Sequence, residues 1–145
     1  MSIKQLKYQR LLAMVFAGAS LGIAYFWWQF FNGELFLIEE LKPLIKNFDG
    51  YYDREKSFVV PDAMLAFGLM VSAFLLWFDF GGHRRTILAA ASSGAALFLG
   101  VLDLSAGFST GLYVIAHPYA NEVLSFDLSI TAVGIVGLSI LLVQK

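Results

Sequence analysis

Residues 86–113, TILAAASSGAALFLGVLDLSAGFSTGLY, limit what this chain can fold into more than any other stretch. From Thr86 to Leu102 there is no charge, and the first half carries Ala, Ser and Gly on every face of a helix. A helix needs about 20 apolar residues to cross a ~30 Å hydrocarbon core, and this run supplies them. Its small side chains suit a position that touches neighbours all round, because helices in lipid associate by close backbone approach. One acid, Asp103, interrupts the far end. Gly100, Asp103, Gly107 and Gly111 recur at spacings of three and four, which puts them on one face.

Three more runs share this character. The pattern predicts spans at residues 11–31, 59–78, 86–106 and 126–143, within a single domain covering 1–145. Apolar residues form 59 % of the chain and charged ones 14 %, whereas soluble domains run nearer 45–50 % and about 25 %. The predicted fold is therefore an all-α integral membrane protein, a four-transmembrane-helix bundle. Lys4, Lys7 and Arg10 ahead of an apolar run resemble a signal peptide. However, the small Ala17-Gly18-Ala19 segment comes too early and the run continues too far, so an uncleaved first span is expected.

Gly18 and Gly22 form a GxxxG pair on the first span, the spacing that lets two helices meet closely. Packing within the molecule is its simplest use, and a homo-oligomer or a larger membrane complex its alternative. The run Tyr25-Phe26-Trp27-Trp28-Gln29-Phe30-Phe31 reads as an interfacial aromatic belt. Leu37, Leu41, Leu44, Ile45 and Phe48 then alternate with Glu39, Glu40, Lys42 and Lys46, predicting a short amphipathic interfacial helix over 35–48, kinked by Pro43 and closed at Asp49-Gly50. Residues 51–56 read as a solvated charge cluster.

Lys4, Lys7, Arg10, Arg84, Arg85 and Lys145 fall on one side of a four-span chain. The positive-inside rule makes that side cytoplasmic, giving N-in/C-in topology. Residues 32–58 and the connection holding His117 then lie outside, and the expected location is a prokaryotic cytoplasmic (inner) membrane. No basic stripe exists to neutralise phosphates, so nucleic acid is not an expected partner; the lipid bilayer is. Cysteine is absent, which excludes disulfides and thiolate metal sites. His83 and His117 fall on opposite sides, and neither a metal nor a cofactor is expected.

Depth is the informative quantity. Asp62 stands 16 residues from Phe78 (78 − 62), Asp103 17 from Thr86 (103 − 86) and Asp127 16 from Val143 (143 − 127). At 1.5 Å per residue all three lie about 24–26 Å from the cytoplasmic ends of their helices. Trp27 stands at the same depth in the first span. Asp62, just after Pro61, and Asp127, near the start of the fourth span, can be read as carboxylates favoured by a helix N-terminus. Asp103 cannot, since it approaches a C-terminus where the dipole disfavours it. An acid inside a membrane is costly and needs a partner. The candidates are Tyr113, Trp27, Trp28 and a neighbouring carboxyl.

Two functions follow. The first is a non-catalytic accessory or scaffolding subunit that packs against a membrane partner. The alternative is an outer-leaflet-facing site, binding or converting an amphipathic small molecule by acid-type proton transfer. Asp103 is its centre, with Asp62 and Asp127 as further candidate acids and Tyr113, Trp27 and Trp28 as ligand-binding walls. Proton or ion conduction is disfavoured, because the inner two-thirds of each span holds no ionisable residue to continue a relay.

Overall fold

The computed structural model describes residues 3–33 and 38–143. All regular structure among these residues is helical. The elements are α1 (Ile3–Asn32), α2 (Ile38–Leu41), α3 (Phe48–Ser57), α4 (Val59–Trp77), α5 (His83–Thr110), a 3₁₀ turn (Leu112–Val114) and α6 (Pro118–Val143). Four helices are long and apolar enough to cross a membrane, α3 and α4 together making the second of them. Their outward faces are what lipid requires: Met64, Phe67, Phe74, Phe98 and Leu142 are all more than half exposed.

The bundle is a ring in which α1 packs on α4, α4 on α5, α5 on α6, and α6 back on α1. Neighbours run antiparallel. Arg10 stacks on Trp77 at one end of α1 and Trp27 bonds Asp62 at the other. Likewise Gly100 faces Thr131 while Gly137 faces Ser93. The α5–α6 seam is the closest, because glycines lie where the backbones meet: a Cβ on Gly134 would overlap the backbone of Leu97, and one on Gly137 would strike Ser93. The α4–α5 seam is polar, with Ser72 and Ser92 hydroxyls 3.1 Å apart. Between α1 and α4, Ser20 donates to the Ala66 carbonyl at 2.8 Å. Hydrogen bonds of this kind hold helices together where apolar burial gives little preference for protein over lipid.

Helix α4 keeps the expected start at Val59, whereas α1, α5 and α6 extend beyond the expected spans, and the difference matters at the acids. Helix α6 begins at Pro118, so Asp127 lies nine residues inside it (127 − 118) and is no cap. Helix α5 likewise covers Asp103 fully and ends at Gly111, whose left-handed φ of 71° turns the chain back. Asp62, by contrast, does lie in the first turn of α4, as expected, with its N–H on the Phe58 carbonyl at 2.9 Å. Pro61 explains the junction just before it. Lacking an N–H, it cannot bond the Ser57 carbonyl, so α3 gives way to α4 at that point.

The amphipathic pattern at 35–48 resolves, in its described part, as the short α2 followed by turns through residues 42–47. Leu41, Ile45 and Phe48 face inward and Glu39, Glu40, Lys42 and Lys46 outward, as the spacing implies, but Leu44, expected on the inner face, is 48 % exposed because α2 ends at Leu41 and turns follow; Leu37, like Lys145, lies outside the described residues. Asp49 and Gly50 do not end a helix but open α3. The segment 51–56, expected to be solvated, is helical with Tyr51 only 3 % exposed. Gly18 and Gly22 meet nothing within 4 Å, so packing inside the molecule is not their use.

Candidate functional site

One end of the bundle gathers nearly all of its interior acid. Trp27 comes from the aromatic end of α1, edge-on to Phe26 and Phe30 at centroid distances of 5.5 and 5.1 Å. That packing fixes the indole, whose Nε1–H donates to Asp62 Oδ2 at 3.0 Å. Asp62 itself is 6 % exposed.

Beyond α5, the turn at Gly111 folds the 3₁₀ segment back on the helix it has just left. The Tyr113 ring comes to lie against Gly107, where any Cβ would overlap it. From there its hydroxyl reaches the backbone carbonyl of Asp103 at 3.3 Å and donates to Asp127 Oδ2 at 2.5 Å. Asp127 is 4 % exposed. Burial first, and then the Asp127 carboxylate, push the Tyr113 phenol well above the ordinary tyrosine value. The hydroxyl therefore stays a donor throughout the neutral range. Tyr113→Phe should lower stability by about 1.5–3 kcal/mol, the usual worth of a hydrogen bond to a charged group. Melting curves of both proteins at one neutral pH measure that loss.

Helix α3 adds a layer that the sequence pattern did not single out. Glu55 hydrogen-bonds Tyr51, whose hydroxyl lies 2.9 Å from that of Tyr119 on α6. The Arg54 guanidinium lies over the Tyr51 ring, 5.4 Å from its centroid, with Nη2 3.9 Å from Glu55 Oε1. The signal was present: Tyr51, Glu55, Phe58 and Asp62 follow each other at four, three and four residues, one continuous helical face. The density of charge around it disguised that face as surface.

Between these groups lies a partly enclosed space of about 20 Å³, room for about one water molecule. Its walls include Glu55, Asp62, Asp103 and Asp127 together with Trp27 and Tyr113, closed by Phe26, Phe58 and Phe126. The three aspartates therefore share one level of the bundle and line one chamber. Trp28 does not join them; it is 53 % exposed and stacks on Tyr25. The expected partners are also redistributed. Trp27 serves Asp62, Tyr113 serves Asp127, and the Asp103 carboxyl has no hydrogen bond among the described residues.

Among the described residues, no group of three or more His, Asp or Glu side chains is placed to hold a metal ion. His117 bonds Glu40 at 3.2 Å and accepts the Tyr119 N–H, away from Asp127. Chemically, the chamber offers three carboxyls held by donors (Glu55, Asp62 and Asp127), a fourth, Asp103, free to meet a ligand, and a neighbouring cation in Arg54. No family model, no curated protein and no solved structure matches the chain.

Proposed function

We propose that this multi-pass membrane protein binds a small molecule at the acid-lined chamber, with Asp103 as the group that meets it. The observation behind the proposal is the unequal treatment of the carboxyls. Asp62 and Asp127 each have a dedicated donor, and Asp103 faces the same space with none among the described residues. An acid left without a partner within a membrane-spanning helix is costly to keep. A ligand bearing a hydroxyl or ammonium group offsets that cost by inserting that group alone in place of the water-sized contents and donating to Asp103. Acid-type proton transfer is the chemistry open to such a carboxyl. By the positive-inside rule the chamber lies toward the outer leaflet, and the amphipathic molecules of that leaflet are its natural supply.

Dicyclohexylcarbodiimide, an apolar reagent for carboxyl groups, tests this reading. Treatment of the purified protein should give one adduct on the Asp103 peptide by mass spectrometry, ahead of Asp62 and Asp127, and none there in Asp103→Asn. Small molecules retained from the host membrane should protect that peptide. Labelling that ignores Asp103, or no protection by anything retained, counts against a site there.

A second reading, the accessory subunit, draws on the open face of α1 around Gly18 and Gly22. It requires stoichiometric co-purification with a larger membrane protein or a second copy, lost on Gly18→Leu and indifferent to Asp103→Asn.

A further inference from the structure

The seam between α1 and α6 is not fully closed. A groove of about 540 Å³ runs along it, lined by Gly22, Tyr25, Gln29, Asn121, Glu122 and Ser125, within the range of ligand-binding pockets. Its floor is the stacked pair Phe26–Phe126, centroids 4.5 Å apart, which also forms a wall of the acid chamber. The groove is graded along the helix axes. Gly22 lies about 10 Å deeper than Gln29 at 1.5 Å per residue, and a Cβ there would meet nothing. At the other end, the side chains of Gln29, Asn121 and Glu122 make no hydrogen bond or ion pair among the described residues. Among the described residues, no basic side chain lines the groove.

We infer that this groove seats a bilayer phospholipid whose head group carries a primary ammonium, the ethanolamine type. The apolar depth at Gly22 and Tyr25 takes a segment of acyl chain, and the polar end takes the head. There the Glu122 carboxylate accepts from the ammonium, while the Gln29 and Asn121 amides donate to phosphate oxygens. A quaternary choline head offers Glu122 no N–H, and a glycerol head brings no positive charge to it. The polar-to-apolar grading follows the leaflet's own, so a lipid enters sideways without turning. This site lies beside the chamber of the proposed function and does not depend on it.

Detergent-purified protein is equilibrated with equal amounts of ethanolamine and choline phospholipids of identical acyl chains, and retained lipids are counted by native mass spectrometry. The ethanolamine lipid should be retained about three- to fivefold over the choline lipid, the scale of a partly exposed ion pair. Glu122→Gln should abolish that preference. Gly22→Leu should remove retention of both lipids without lowering the melting temperature, since its side chain fills open space. Asp103→Asn should leave the preference intact. Equal retention of the two lipids by the unaltered protein overturns the inference, as does a preference that survives Glu122→Gln. It is equally overturned if Gly22→Leu changes the oligomeric mass instead of lipid retention, which assigns the face to a second copy. Loss of the preference in Asp103→Asn would move the ligand from the groove to the chamber.

Discussion

Gly134→Val should lower the stability of this protein by about 3 kcal/mol. The Cβ it introduces would overlap the backbone nitrogen and Cα of Leu97 on α5, and backbone cannot rotate out of the way as a side chain can. The two helices must separate along a seam that Gly100 and Gly137 also hold closed. Overpacking of a tight core costs about 1–3 kcal/mol, and rigid backbone on the far side puts this case at the upper end. Little can offset it, because lipid solvates the freed apolar surface as well as the protein did. Gly22→Ala is the control. With nothing near its Cβ, it should be neutral or gain up to about 1 kcal/mol from helix propensity. Thermal unfolding in detergent measures both. Equal melting temperatures for Gly134→Val and the unaltered protein would mean that α5 and α6 do not meet there. The seam also sets the chamber, since Asp103 and Asp127 keep a common level only while those helices stay in register.

The next largest effect belongs to the Trp27–Asp62 pair and is best measured as a double-mutant cycle. Trp27→Phe keeps a ring between Phe26 and Phe30 but removes the N–H that Asp62 accepts. A carboxyl only 6 % exposed then has lost its donor, at a cost of about 1.5–3 kcal/mol for a bond to a charged group. In an Asp62→Leu background the same Trp27→Phe change should cost much less, because nothing is left wanting a donor. The expected coupling is therefore most of the first figure, and couplings of this size are usual for residues in direct contact. Additive costs for the two changes would mean that the indole and the carboxyl do not meet.

These two cases also show what could be read from the chain alone. The four spans were legible because about 20 apolar residues in a row have few other uses. The common level of the aspartates was legible too, since a helix converts sequence separation directly into depth. Helix ends were not. Hydropathy reports where lipid stops, while a helix continues as long as its backbone bonds do. The fourth span was therefore begun near Asp127, although Pro118 is a good first-turn residue and α6 starts there. That misplacement made a cap of an acid lying more than two turns inside. The same confusion hid α3, where Tyr51 and Glu55 were counted as surface because Asp53, Arg54 and Lys56 surround them. Which donor meets which acid was beyond reach. Trp27 and Asp62 are 35 residues apart and come together only through the α1–α4 seam, and the assignment of Tyr113 to Asp127 depends on how the chain reverses at Gly111.

The closure of the ring by α6 on α1 has a consequence for how the molecule is made. That seam joins the first and last long helices, so it is the most distant pairing in the chain and pays the largest loop-closure entropy. It therefore forms late, after the local hairpins. Since Asp127 and Tyr119 arrive only with the final helix, a nascent chain halted before Pro118 already carries Asp62 and Asp103 in the bilayer without the enclosure that shelters them. The chamber is complete only once α6 has entered the bundle.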